Sequence, residues 1–263
     1  MIKSKFTLLV ENKLIKAVPK KFSGKYTPEY FLKGKDAEVS RLRFLNLTIP
    51  QIKHQLATFF LTKEESCLPQ VFVNMQKLWF ESDIYDAKIF AIYWLDKQKI
   101  EFLIKNHKKI LSWASEVDNW AHADSLCSIY ARMMDYSPSK LLPTYRKWNA
   151  HENSWLRRCS MVGTFYYSRL RARQPRFVLV KKLVEPHFMA PEYYVQKGIG
   201  WTIREMYNVY PSETLKYIEN KLPQISSVAW VAASEKLPVR VKNRLLNKRR
   251  QQRKLKTIYN SMY

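Results

Sequence analysis

The 263 residues carry 46 Lys+Arg against 22 Asp+Glu, a formal net charge of +24, and 46% of them are hydrophobic. That apolar content supports a full core and excludes a disordered chain. Average usage of roughly 7% gives about 18 glycines in such a length; the five found disfavour hairpin-rich sheets and glycine-loop nucleotide sites, so the expected class is all-α.

The N-terminal "MIKSKFTLLVENKLIK" has only a four-residue apolar run, too short for a secretory signal. Prolines 28, 50, 69, 138, 191, 211 and 223 stand near the front of helix-compatible segments, where the ring is tolerated. Apolar spacing predicts helices over 69–80, 83–97, 117–134, 152–171 and 191–209. In "SDIYDAKIF", Ser82 or Asp83 is the expected cap. The run 87–95 resembles a buried strand, but its segment length, Ala87 and the lack of flanking glycines favour helix. "IFAIYWL" falls far short of the roughly 18 residues of a membrane span. Cys67, Cys127 and Cys159 lack metal-ligand spacing, and their apolar contexts predict buried thiols in a reducing cytoplasm.

In "VDNWAHADSLCS" (117–128), Trp120 and Asp124 are four residues apart and share one helix face. His122 lies about 160° round from Asp124, so the two are no catalytic pair, and His122 is expected at the surface or in packing. No His/Cys/Asp/Glu cluster suggests a metal, and no cofactor is expected. In "NSWLRRCSMVGTFYYSRLRAR" (153–173), Leu156, Cys159, Val162 and Tyr166 form the core stripe, with Arg157 in the polar stripe and Arg158 on its border. Spacing alone does not choose between the two arginines, and ordinary solvation explains both on a basic protein at least as well as a functional role. Over 192–210, Val195, Ile199, Thr202, Ile203 and Met206 face the core, while Lys197, Trp201 and Arg204 cluster within about 60° on the other side. An indole between two cations is either covered by a neighbouring helix or available to nucleic acid. The tail from Lys236 to Lys256 holds ten Lys/Arg and no acid, as a basic helix or a loose arm.

Short-looped helices without a break suggest stacked helix pairs forming a single domain over 1–263, with the basic tail at 236–263. The net charge makes nucleic acid the first candidate partner and an anionic membrane the second.

The segments "NWAHADSLC" (119–127), "SWLRRCSMV" (154–162) and "YVQKGIGWTIREMY" (194–207) resemble the AlkD family of DNA alkylation repair glycosylases; "LNLTIPQIK" (45–53) and "LWFESDIYDAKIFAIYWL" (78–95) fit in the same order. The resemblance covers roughly residues 28–225. It implies a HEAT-like repeat α-solenoid whose concave basic face cradles duplex DNA. It also implies hydrolysis of the N-glycosidic bond of cationic alkylpurines such as 3-methyladenine and 7-methylguanine, without base flipping. By the same resemblance Asp124 is catalytic, Trp120 and Trp201 are the lesion-facing indoles, and Arg158 and Arg204 contact DNA; Lys197 and Arg157 are added as candidate DNA contacts from their helix faces. Tyr30 matches a tyrosine near the lesion. A monomer is expected, cytoplasmic and nucleoid-associated, away from membranes. The segment 33–44 is longer and the tail more basic than the family pattern. Some family members keep the fold yet bind branched or distorted DNA without catalysis, and that alternative stays open, as does a scaffold for proteins or RNA.

Overall fold

The computed structural model describes residues 2–19, 30, 32, 40, 42–61 and 68–262. Pro28, Cys67 and most of 33–44 lie outside them. Among the described residues the chain is helical, with one strand-like bridge between Arg43 and Ile84. Two compact units form, Met1–Tyr136 and Ser137–Tyr263.

The first unit contains α1 (Lys5–Lys16), α2 (Ile49–Leu61), α3 (Leu68–Glu81), α4 (Tyr85–Asp96), α5 (Ile100–Lys105), α6 (His107–Leu111) and α7 (Trp120–Tyr136). Ser4 caps α1 by accepting from the Thr7 amide, and Glu81 at the end of α3 accepts from the Ser4 amide (2.8 Å) and the Thr7 hydroxyl (2.7 Å). Helix α4 sits at the centre. Ala87, Ile89, Phe90, Ala91, Ile92 and Leu95 are all buried, so the segment is apolar all round. This is why 87–95 mimics a strand in sequence. The start of α4 differs from expectation by a residue or two: neither Ser82 nor Asp83 is the cap. Ser82 instead accepts the Ile84 amide (3.1 Å), while Asp83 and Arg43 exchange backbone bonds across the bridge with Tyr85. Asp86 accepts the Leu45 and Leu47 amides, which binds the preceding loop to α4; burial raises its pKa despite these bonds.

The second unit contains α8 (Pro138–Asn149), α9 (Ser154–Phe165), α10 (Phe177–Val184), α11 (Tyr193–Val209), α12 (Pro211–Lys221), α13 (Ser227–Ala233) and α14 (Val239–Met262). Pro138 and Pro211 open their helices at the first position, where the missing amide is unneeded. Asn153 caps α9 and Ser226 caps α13. Helix α11 packs against α9 and α13, so alternate helices stack as a repeat. Val195, Ile199, Thr202, Ile203 and Met206 are all buried, as their spacing predicts. The expected run over 152–171 stops at Phe165, because the chain turns through Tyr167 in the left-handed region (φ 45°). The basic tail is helical from Val239.

No helix among the described residues is long and apolar enough to cross a membrane.

Candidate active site and nucleic-acid contacts

The acid of interest is on α7, whose rotation is set by what its first turn buries. The Asn119 side-chain oxygen accepts the His122 amide (2.9 Å), starting the helix. His122 is wholly buried, stacked on Tyr85 (4.6 Å) and set edge-on to Trp79. Its Nδ1 accepts from the Asn119 amide nitrogen, so Nε2–H donates to the Tyr85 carbonyl (3.3 Å). Burial first, then the Lys88 charge, lowers its pKa to about 3. His122 is therefore a neutral peg in the core, a packing residue. With His122, Ala123, Leu126 and Cys127 inside, Trp120 and Asp124 are half-buried at the edge of the same helix. Trp120 Nε1 donates to the Tyr30 carbonyl (3.4 Å), and the two rings stand 6.0 Å apart at 53°. Tyr30, Trp120 and Asp124 thus belong to one neighbourhood of the first unit, although Tyr30 and Trp120 are separated by 90 positions.

In the second unit, α9 and α11 bring together the other expected residues. Arg158 is 4% exposed and donates from Nη1 to the Tyr194 carbonyl (3.0 Å). Its stem runs over Gly198, where an added Cβ would lie 3.2 Å from Arg158 Cγ. Gly200 permits a closer approach: a Cβ there would lie 2.2 Å from the Ala229 carbonyl oxygen of α13. Two of the chain's five glycines are thus used in "QKGIGW" for helix contact. Arg157 pairs with Glu192 and donates to the Glu152 carbonyl (3.3 Å), fastening α9 to the start of α11. Lys197 is half-buried on the same helix as Trp201.

Trp201 is half-buried among aromatic and cationic neighbours. Tyr166 stacks on it (5.3 Å, 24°), Tyr167 meets it edge-on (6.4 Å), and the Arg204 guanidinium lies 5.1 Å from the ring centre. Arg204 is also bound to Glu205 and Glu235, each at 2.9 Å. Burial opposes its charge, but these two carboxylates outweigh that and raise its pKa. The positive charge expected to face a phosphate is therefore held between two acids of its own unit.

Sequence reading missed Tyr167 and Glu205. Buried Glu205 accepts from the Ser168 amide (3.1 Å), the Ser168 hydroxyl (2.7 Å), Asn208 (3.2 Å) and Arg204. It thereby holds the turn that keeps Tyr167 left-handed and 53% exposed. A non-glycine residue at positive φ is uncommon and clusters at functional sites. A cleft of about 380 Å³ opens here, bordered by Tyr167, Arg169, Arg204, Asn208 and Glu235. Tyr166, expected in the helical core stripe, lies beyond the end of α9 and stacks on Trp201 instead. Among the described residues no group of three or more His, Cys, Asp and Glu could hold a metal ion, and Cys127 and Cys159 are buried.

Among the described residues the chain is a stack of helices, with an acid and an indole on one helix and an aromatic–arginine cluster on another. The family described as "DNA alkylation repair enzyme" matches residues 18–237, and the chain belongs to that family. A structure described as a predicted DNA alkylation repair enzyme from Enterococcus faecalis superposes with TM-score 0.59 at 14% identity, covering 80% of this chain and 98% of the other. AlkD2 from Streptococcus mutans is similar at TM-score 0.46 and 17% identity, covering 73% and 92%. No curated protein matches the sequence significantly. Membership places the chain in DNA alkylation repair, with DNA as its partner.

Proposed function

We propose that the protein is a DNA glycosylase that hydrolyses the N-glycosidic bond of cationic alkylpurines, such as 3-methyladenine and 7-methylguanine, in duplex DNA without extruding the base. The observation that carries this is the half-buried Asp124, set one helical turn from Trp120 on a protein of net charge +24. A positively charged purine is a ready leaving group. As the C1′–N bond breaks, its electron pair returns to the ring and the base departs neutral, leaving an oxocarbenium-like sugar. A carboxylate beside that sugar stabilises the charge and orients a water, whose oxygen bonds to C1′ while its proton passes to the carboxylate or solvent. Trp120 supplies an aromatic wall to the deoxyribose and to the nearby positive charge. His122 takes no part, since it is buried and neutral.

The roles of Trp201 as second indole and of Arg158 and Arg204 as DNA contacts rest on the resemblance, and those of Lys197 and Arg157 on their helix faces. The reading needs no base-edge contact, in keeping with recognition through sugar and backbone. The test is incubation with methylated duplex DNA and identification of the free bases. Release of 7-methylguanine by the wild type and its loss in Asp124→Asn, with duplex affinity little changed, is the expected result. Unchanged release by Asp124→Asn refutes the catalytic assignment. Tight duplex binding with no base released by the wild type makes the protein a non-catalytic binder of distorted DNA.

A further inference from the structure

The family match ends at residue 237, and α14 begins at Val239. This helix therefore lies beyond the shared pattern, and its sequence after Glu235 contains no acid. It is nonetheless firmly seated on the second unit. Leu245 is buried, and Arg249 is buried with Nη1 donating to the Ile225 (2.7 Å) and Leu222 (3.3 Å) carbonyls while its guanidinium lies 4.9 Å from the Trp230 ring centre. Arg249 thus meets the C-cap carbonyl of α12 and a carbonyl of the loop that follows it, a cation at the negative end of a helix. These anchors fix which face of α14 points outward.

That outward face has one chemical character. Between 240 and 250 every exposed side chain is Arg, Lys or Asn: Arg240, Asn243, Arg244, Asn247, Lys248 and Arg250. At about 100° per residue they span an arc of roughly 160°, opposite Leu245 and Arg249. All are hydrogen-bond donors, the set that contacts phosphate and sugar. Arg240, Arg244 and Lys248 follow one another at i,i+4, where like charges work against the helix. A surface designed only for solvation would interleave acids. Glu219 touches the stripe, at Arg244, and an exposed pair of this kind contributes little.

We propose that this face of α14 binds the phosphate backbone of duplex DNA, independently of the lesion, as an added electrostatic grip. Charge complementarity commits the face to a polyphosphate. An anionic membrane fits less well, because no side chain within the arc is apolar and the one exposed apolar residue at its border, Val239, is a single small side chain at the start of the helix. The inference rests on the DNA-binding part of the function above and not on base release.

The test uses the full chain and an undamaged duplex, with affinity measured from 50 to 200 mM salt. In the variant Arg240→Gln/Arg244→Gln/Lys248→Gln/Arg250→Gln, each lost phosphate contact removes about 0.9 from the log–log salt slope. Loss of two or more contacts makes the slope shallower by at least about 1.8, so the wild type loses at least about 12-fold more affinity than the variant across that range. The single variants Arg240→Gln and Lys248→Gln should each remove just under one unit. An unchanged slope in the quadruple variant overturns the proposal. So does loss of binding to phosphatidylserine vesicles with the DNA slope intact, which assigns the face to a membrane. A wild type that shows the steep slope but releases no base refutes the glycosylase and leaves this inference standing.

Discussion

Alanine at Gly200 and at Gly198 makes a matched pair of perturbations within α11. Both replace glycine in a helix interior, so both gain about 1 kcal/mol of helix propensity. They differ in what the new methyl meets. At position 200 it falls 2.2 Å from the Ala229 carbonyl oxygen and 2.9 Å from two further backbone atoms of α13. Backbone cannot rotate away, so α11 and α13 must separate along their shared face, at an overpacking cost of about 1–3 kcal/mol or more. At position 198 the nearest atom is Arg158 Cγ at 3.2 Å, part of a side chain that can give by a few tenths of an ångström. The 2.2 Å approach to backbone puts the cost at Gly200 in the upper half of that range, about 2–3 kcal/mol, so Gly200→Ala is destabilising by about 1–2 kcal/mol net, while at Gly198 the gain of about 1 kcal/mol is largely offset by shifting the Arg158 stem. At roughly 2–4 °C per kcal/mol for a chain of this size, Gly200→Ala lowers the melting temperature by about 2–8 °C while Gly198→Ala leaves it nearly unchanged. Differential scanning calorimetry of the two variants decides the matter. A Gly200→Ala protein as stable as the wild type refutes the close approach of α11 and α13.

Three further outcomes are expected. The resemblance makes Arg158 a phosphate contact, yet the side chain is 4% exposed and donates to the Tyr194 carbonyl; if the resemblance holds, Arg158→Ala weakens duplex binding with a shallower salt dependence, and an unaltered slope in a salt titration leaves Arg158 a buried packing residue. Glu205→Gln leaves a buried network short of its charge, costing about 1–3 kcal/mol. It should also raise protease cutting near Tyr167, and an uncut, equally stable variant would show that Glu205 does not hold the turn. His122 has a folded pKa of about 3, against 6.5 for an unperturbed imidazole, so the unfolded chain binds the extra proton. Its contribution is complete above about pH 6.5 and shrinks by up to about 1.4 kcal/mol per pH unit as pH falls toward about 3. His122→Gln should therefore lose less stability than the wild type between about pH 7 and 5; parallel pH–stability curves would contradict the buried neutral imidazole.

Much of the helical content was legible because the 3.6-residue period is a property of neighbouring residues. Val195, Ile199, Thr202, Ile203 and Met206 could be assigned to the core of α11 from their spacing, and Trp120 with Asp124 to one edge of α7. The scarcity of glycine and the balance of charge pointed to helices and to a polyanion. Periodicity is silent, however, on what meets the polar side of a helix. Arg204 looked available for phosphate, yet Glu235, 31 positions away, and Glu205 hold its charge. The helical wheel put Arg157 in the polar stripe and Arg158 on its border without assigning a role to either, and α11 separates them, pairing one with Glu192 and covering the other beside Gly198. The left-handed turn at Tyr167 likewise depends on Glu205, 37 positions beyond Ser168. Sequence alone determined which faces turn inward, because burying apolar surface needs only a local repeat. Tertiary structure decided which charges are already neutralised, because Coulomb and hydrogen-bond partners are chosen by proximity in space.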